Sequence, residues 1–226
     1  MAISIDTVYQ RVLALANKEQ RGYITPQEFN LFANQAQIEI LEQYFYDINQ
    51  FGRVHGNSTD YSDMLSLLNE KLGILKVTTT GFALSSGIAS LPSDLFKFGH
   101  VIVNNYQADE VQRSTVGLMQ QSPLTQPSSS IPVYVLENNK IQVYGAGSSC
   151  TITYIKKPAK VSWGYVVVAE KAMHDPSNTT NFELHSLEET ELVYKILTLA
   201  GITLKRTDLS AAAVAMQQAK TQQEKI

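Results

Sequence analysis

The side chains best suited to chemistry, four histidines and one cysteine, are scattered along the chain. No spacing brings two histidines to one metal ion through a single helix or strand, so the sequence predicts no metal site. His174 and Asp175 are adjacent and therefore poorly placed to ligate together. Together with nearby carboxylates they would be the residues of a nucleic-acid enzyme with metal-dependent cleavage, a hypothesis that we rank last.

Motifs for strained nucleophiles and for phosphate binding are also missing from the sequence, including GxSxG, the P-loop, GxGxxG, HExxH and the EF-hand loop. Gly145 and Gly147 are followed by no predicted helix whose N-terminus could bind an anion. Glu188, Glu189 and Glu191 lie in the first turn of a predicted helix, which favours capping over catalysis. The sequence therefore predicts a protein that is not an enzyme and binds no cofactor.

One basic cluster, Lys156, Lys157 and Lys160, lies close to Trp163 and Tyr165. Lysines beside aromatic rings could contact the phosphates and bases of a nucleic acid. A solvated strand end with its aromatic rings in the core is the interpretation that we favour over that one. A third interpretation is that the run Trp163 to Val168 is an edge strand or aromatic anchor for a neighbouring subunit, because Trp and Tyr are enriched at interfaces.

Composition restricts the class of protein. With 226 residues of which 44% are hydrophobic, the chain can form a large core. Its 18 basic and 21 acidic residues give a net charge of -3, which argues against binding nucleic acid through a basic surface. The single cysteine, Cys150, excludes an internal disulfide, and no signal peptide or membrane span is recognisable.

Helices are predicted near the N-terminus. Apolar residues recur with helical spacing from Ile5 to Ala16 and from Phe29 to Phe51. Thr25 and Glu28 form a capping box at the start of the second helix, with Pro26 at its first position. A short third helix is expected to end at Gly73.

The densest apolar helix is predicted near the C-terminus, where Ser186 and Glu189 have the spacing of a capping box. Leu187, Tyr194 and Leu197 would share its apolar face, and Gly201 would lie near its end. We expect this face to pack on the first two helices. A last helix within residues 208–225 has few apolar residues and should be stabilised by a neighbouring molecule.

Between these helices the sequence changes to β-branched residues separated by Gly, Pro, Asn and Ser. Asn104–Asn105 and Asn138–Asn139 suit tight turns, since Asn tolerates positive φ. The predicted fold is α+β, a helical bundle formed by residues 1–73 and 181–226, with an inserted antiparallel β domain over residues 74–180.

This order of elements resembles the head-to-tail connector proteins of tailed bacteriophages, of the adaptor and tail-tubular type. Several segments look like pieces of virion structural proteins of marine and gut phages, including the crAss-like group. These segments are LPSDLFKFGHVIVNN (Leu91 to Asn105), SPLTQPSSSIPVYVLENNKIQVYG (Ser122 to Gly145), YIKKPAKVSWGY (Tyr154 to Tyr165) and NFELHSLEETELVYKILTLAGI (Asn181 to Ile202).

The resemblance implies a subunit of a ring, twelvefold in this family, that lies beneath the portal protein in the virion and is assembled in the bacterial cytoplasm. Its partners would be further copies of itself, the portal protein and the next neck or tail ring protein, with no membrane involved. Genomic DNA would pass through the lumen without sequence-specific binding. The candidate residues for contacts between subunits are Trp163, Tyr165, Val167, Leu209 and Met216.

A second functional hypothesis is a soluble binding module that recognises a receptor or a glycan. In that case the β region would present aromatic side chains such as Tyr134, Tyr144 and Tyr165 to the ligand.

Overall fold

A computed structural model describes residues 3–16, 24–51, 64–145, 147–203, 211 and 213–219. The chain divides into two compact units, one comprising residues 1–74 and 158–226 and the other residues 75–157. Residues 158–180 thus belong to the unit that contains the N- and C-terminal helices, whereas they were predicted to be part of the β domain. No helix in the described part of the chain is long and apolar enough to cross a membrane.

The helices are α1 (Ile5–Ala16), α2 (Pro26–Phe51), α3 (Met64–Gly73), α4 (Arg113–Gln121) and α5 (Glu189–Thr203). The strands are β1 (Lys76–Ala83), β2 (Ile88–Ser90), β3 (Leu95–Val103), β4 (Tyr106–Glu110), β5 (Val133–Glu137), β6 (Lys140–Tyr144), β7 (Ser149–Lys156), β8 (Tyr165–Val168) and β9 (Lys171–His174).

The first unit, which we call the helical unit, contains α1, α2, α3, α5 and the β8–β9 hairpin. Helix α5 packs against α1 and α2, as expected from its apolar face, and α3 packs against α2. Phe29, Ile40, Phe182, Leu192 and Ile196 are among the fully buried side chains of this unit. Their burial, which removes apolar surface from water, is the main stabilising contribution here.

The predicted capping box of α2 is confirmed. The backbone N–H of Thr25 donates to Glu28 Oε2 at 3.0 Å, and the N–H of Glu28 donates to Thr25 Oγ1 at 3.3 Å. Two backbone donors that the first turn leaves without an intrahelical partner are thereby satisfied. The bond from the Thr25 backbone, and after it one that the Thr25 hydroxyl donates to the same Glu28 oxygen at 2.8 Å, lower the pKa of the Glu28 carboxyl.

The capping box predicted for α5 is wrong. Ser186–Glu188 form a 3-10 turn, and α5 begins only at Glu189. The cap of this turn is His185, whose Nδ1 accepts a hydrogen bond from Leu187 N–H. Glu188 instead turns into the interior, where it is fully buried, and its Oε1 lies 2.7 Å from Nζ of Lys71 on α3. Leu187, which was expected on the apolar face, is 58% exposed.

The second unit, the β unit, is a seven-stranded sheet with the order β1-β7-β3-β4-β5-β6-β2. All neighbouring pairs are antiparallel except β4 and β5, which are parallel and are connected through α4. The positive φ angles predicted at Asn104–Asn105 and Asn138–Asn139 are confirmed. The sheet has its own core, which includes Val101, Val103, Ile141 and Ile152.

This sheet curls towards a barrel. Strands β1 and β2 lie at its two ends, yet only the four residues 84–87 separate them in the chain, so the two edges must approach each other. Bulges where β1 and β3 pair with β7 increase the local twist. At one of them β3 passes so close to β7 that a Cβ on Gly99 would lie 2.5 Å from the Thr153 carbonyl oxygen.

The predicted fold class, a helical bundle with an inserted antiparallel β region, is therefore wrong. The strands build a large, nearly closed seven-stranded sheet with one parallel pair. Within the helical unit, moreover, one side of α2 binds an extended segment of the chain instead of another helix. Asn30 and Asn34, which bind this segment, lie outside the apolar stripe of α2, so the stripe gave no sign of the contact.

Candidate interaction surface

Three amide side chains on α2 hold the extended segment of residues 159–163, and we call this arrangement the amide ladder. Asn34 Nδ2 donates to the Val161 carbonyl at 2.9 Å, while Asn34 Oδ1 accepts from Val161 N–H at 3.0 Å. Asn30 makes the same pair of hydrogen bonds to Trp163, at 3.4 and 2.8 Å. Each asparagine thus replaces one residue of a neighbouring β-strand.

The ladder ends at Gln37, which is 1% exposed. Gln37 Nε2 donates to the Ala159 carbonyl at 2.9 Å, and its Oε1 accepts from Glu183 N–H at 3.2 Å. The Glu183 carboxylate in turn accepts from Ala159 N–H at 2.9 Å. Three alternate residues of the extended segment are therefore bound through both their N–H and C=O groups.

The spacing of the two elements makes the ladder possible. Alternate residues of an extended chain lie about 6.6 Å apart. Residues four apart on a helix, such as Asn30 and Asn34, are separated by about 6.0 Å along its axis. An asparagine that recurs at this interval can therefore follow the same edge of the extended segment.

Trp163 ends the extended segment and is buried, with 2% of its surface exposed. Its Nε1 donates to Asp6 Oδ1 on α1 at 2.9 Å, and its ring centroid lies 4.2 Å from that of Tyr9. The rings of Tyr165 and His174 lie nearly parallel to it, at centroid distances of 6.0 and 5.6 Å. Trp163 thus joins the helices to the strands that follow.

Tyr165 and His174 are the first cross-strand pair of the β8–β9 hairpin, which continues to a two-residue turn at Ala169–Glu170. Both turn residues have positive φ, 49° and 62°, which neither residue type favours. The hairpin is anchored at its base, where Tyr165 and His174 stack on Trp163. A two-stranded hairpin has little stability of its own, so this base is what holds it.

Beyond its base the hairpin is apolar and exposed. Val166, Val167 and Val168 are 53, 62 and 52% exposed, and Met173 on the opposite strand is 57% exposed. Because successive residues of a strand point to opposite faces, the valines place apolar surface on both faces. We call this outer half the valine hairpin, and it is the candidate interaction surface of the helical unit.

The polar groups beside the hairpin are used to hold it. Thr179 Oγ1 donates to the Asp175 carbonyl at 2.7 Å and accepts from Gly164 N–H at 3.2 Å. The single hydroxyl proton is thereby used, so His174 Nε2, 3.0 Å away, must be the donor in its contact with Thr179. With its Nε2 protonated, His174 cannot serve there as a base that activates Thr179.

The Asp175 side chain serves a nearby 3-10 turn. Its carboxylate accepts from the side-chain amide of Asn178 at 2.7 Å and from Ser177 N–H at 3.0 Å. These hydrogen bonds, the one from Asn178 first, lower the pKa of the Asp175 carboxyl. Among the described residues no group of three or more His, Cys, Asp or Glu side chains could hold a metal ion.

The residues predicted to contact other subunits have different environments. Trp163 is buried within the chain, Tyr165 is half-buried above it, and Val167 and Met216 are exposed. Leu209 lies outside the described residues. The run Trp163 to Val168 was predicted as an edge strand or aromatic anchor, whereas Met173 on the second strand was not predicted.

In the β unit, Tyr134, a residue proposed to face a ligand, is 3% exposed, and its hydroxyl donates to Glu110 at 3.5 Å. Burial is the main reason that the pKa of Tyr134 rises to about 12. A shallow pocket of about 160 Å³ lies where Arg113 bonds to Glu137 and Gln142. This volume is well below the roughly 300–1,000 Å³ typical of ligand sites.

Models of known protein families give no match to this sequence, and no curated protein matches it.

Proposed function

We propose that the chain is a non-enzymatic structural subunit of a homo-oligomeric ring in the head–tail connector of a tailed bacteriophage. The observation that carries the proposal is the valine hairpin, an apolar surface held on a buried aromatic base. Apolar patches of this kind on a soluble protein are typical of protein–protein contact sites. The resemblance of the sequence to connector proteins supplies the class of assembly.

Burial of the hairpin would stabilise a contact only moderately. Four aliphatic side chains are each about half exposed, and full burial of such a side chain is worth about 1.5–3 kcal/mol, so the gain is roughly 3–6 kcal/mol. Association of two proteins costs about 4–15 kcal/mol. The hairpin alone therefore gives weak association, and further contacts in a closed ring, or with the portal protein, would stabilise the assembly.

The net charge of -3 also supports a conduit for DNA. Binding to the phosphate backbone depends on basic side chains, and a strongly basic lumen would retain the genome. The neighbours along the channel would be the portal protein on one side and the next neck or tail ring on the other.

Cryo-electron microscopy of purified phage particles, combined with antibody labelling of this chain, tests the proposal. We expect the label at the junction of head and tail and density for a ring of identical subunits, which the family resemblance puts at twelve. Detection of the protein only in the lysate outside the particles would refute a role in the connector.

A further inference from the structure

The shallow pocket of the β unit lies on the outer face of its sheet, where β2, β6 and β5 pair. Gln142 on β6 lies opposite Ile88 on β2 and opposite Val135 on β5, so the three residues form one row across the strands. Tyr134 and Ile141, the neighbours of this row along β5 and β6, belong to the core on the other face. The floor of the pocket is therefore apolar on both sides of Gln142.

Arg113, the first residue of α4, reaches this face and is fixed there by two hydrogen bonds. Its Nε donates to Glu137 Oε2 at 2.8 Å, and its Nη2 donates to Gln142 Oε1 at 2.9 Å. A guanidinium group has more N–H donors than these two bonds use. Among the residues that the structure describes, no other acceptor bonds to Arg113. The pocket thus contains a guanidinium group in a fixed orientation with donors available to a ligand.

Lys140 is the second cation at the pocket. It lies directly opposite Glu137 in the hairpin of β5 and β6, and opposite charges in such positions attract each other. Here Arg113 binds the Glu137 carboxylate instead, and in the described part of the chain no carboxylate lies within ion-pair distance of the Lys140 ammonium group. The pocket therefore has two cations and one anion, and the anion is already paired.

We propose that this pocket binds a carboxylate group on a short aliphatic chain. The carboxylate accepts hydrogen bonds from Arg113 and Lys140, and its single negative charge balances the excess positive charge. The aliphatic chain covers Ile88, which is 39% exposed, and removes its apolar surface from water. The volume of about 160 Å³ equals that of about five water molecules at ~30 Å³ each, which suits a ligand of this size.

Two kinds of ligand share this chemistry, namely a free short-chain carboxylic acid and the glutamate side chain of another protein. Each carries its carboxylate at the end of a short unbranched carbon chain. All residues of the pocket belong to the β unit. The inference therefore does not depend on the proposed function, which is carried by the hairpin of the helical unit.

An NMR titration with sodium butyrate at constant ionic strength tests the proposal. We expect saturable shifts of the amides of Asn138, Lys140 and Gln142 and of Arg113 Nε, with a dissociation constant on the order of 1–10 mM for so small a ligand. Butylammonium chloride has the same size and the opposite charge and should cause no such shifts. Shifts that do not saturate, or an equal response to butylammonium, would overturn the proposal. Inorganic phosphate bound as tightly as butyrate would also overturn it, because the aliphatic chain would then contribute nothing.

Lys140→Met removes one cation and keeps an aliphatic side chain. It should weaken butyrate binding about two- to fivefold, the usual effect of an exposed ion pair. Lys76→Met is the matched control, since Lys76 is an exposed lysine on β1 of the same unit and lies outside the pocket. Equal dissociation constants for the two variants would contradict the proposed site.

Arg113→Met should abolish binding, because Glu137 then becomes available to Lys140 across the two strands and both cations are lost to the ligand. Adding Glu137→Gln to this variant leaves Lys140 without an anion again and should restore weak binding. The two proteins lack the same hydrogen bonds from Arg113, so loss of those bonds cannot explain a difference between them. Absence of this rescue at equal melting temperatures would refute the charge argument.

A second titration, with glutamate that is acetylated and amidated, distinguishes the two sources of the carboxylate. Tighter binding than that of butyrate assigns the pocket to a glutamate side chain of a partner protein, whereas weaker binding assigns it to a free acid. No saturable shift of the pocket amides with either compound would overturn the proposal.

Discussion

Replacement of Asn34 by alanine should destabilise the helical unit more than its partial exposure suggests. The change removes both hydrogen bonds to Val161, whose residue surface is only 2% exposed. Each buried polar group left without a partner costs about 1–3 kcal/mol, so the two orphaned groups cost roughly 2–6 kcal/mol. Alanine recovers up to about 0.7 kcal/mol through its higher helix propensity. We therefore expect the free energy of unfolding to fall by about 1–5 kcal/mol.

Gln35 provides the matched control, since it is adjacent on α2 but exposed, and its side chain bonds to Glu39 on the next turn, at 2.8 Å. Gln35→Ala should change the stability by less than about 0.5 kcal/mol. Urea denaturation followed by tryptophan fluorescence measures both variants. Trp163 is the single tryptophan and the last residue bound by the ladder, so its emission reports on this segment.

Equal stability of the Asn34→Ala and Gln35→Ala proteins would refute the idea that the ladder holds the extended segment. Asn34→Asp refines the test, because aspartate keeps the acceptor for Val161 N–H but lacks the donor for the Val161 carbonyl. It should destabilise the unit at neutral pH, since a carboxylate then faces a carbonyl oxygen. Stability equal to the native protein would show that the donated bond is dispensable.

Three further predictions concern other contacts of the helical unit. Lys71→Met leaves Glu188 buried without its cation and should cost about 3–5 kcal/mol, whereas Lys71→Met with Glu188→Leu should recover most of this loss in a urea titration. Glu28→Gln should lower the melting temperature at neutral pH. The pKa of the Glu28 carboxyl is lowered in the fold, so its charge stabilises the protein at neutral pH, and this stabilisation is lost as the pH falls below the ordinary pKa of 4.5 and through the folded pKa. The difference in melting temperature should therefore vanish over this pH range. A difference that persists in acid would exclude the charge as its cause. Ala169→Asn should stabilise the hairpin turn, which requires positive φ, and hydrogen exchange of its amides should slow.

Features specified by neighbouring residues were predicted correctly from the sequence. The capping box of Thr25 and Glu28 involves residues three apart, and the turns at Asn104–Asn105 and Asn138–Asn139 depend on a preference of Asn itself. The same rules failed at Ser186 because a distant residue, Lys71, attracts Glu188 into the interior. Ser186 and Glu188 then belong to a 3-10 turn, and α5 begins only at Glu189.

The amide ladder was missed because its partners are more than 120 residues apart in the sequence. Asn30 and Asn34 lie outside the apolar stripe from which α2 was predicted. One signal was present: asparagine is a poor helix former, so its repetition with Gln37 on one stripe of α2 required a reason. Hydrogen bonds to a distant backbone provide it.

The hairpin turn was missed for the opposite reason, since Ala169 and Glu170 are unusual residues for positive φ. The sequence marks β8 as a strand but gives no turn signal after Val168, and so β9 was not predicted. Tertiary contacts decide the outcome here: Tyr165 and His174 both stack on Trp163, which fixes the start of β8 and the end of β9. Only a short connection can then join β8 to β9, and Ala169 and Glu170 form it although positive φ is unfavourable for both residues.

The ladder and the hairpin together explain why the open strand edge is short. Asparagine amides satisfy the edge of the extended segment up to Trp163, and the structure describes no amide of α2 that bonds to the backbone of Tyr165 or Val167. A long open edge would promote aggregation, whereas this edge is confined to the four residues of β8. The helix that holds the base of the hairpin thereby limits where a further strand could pair with it.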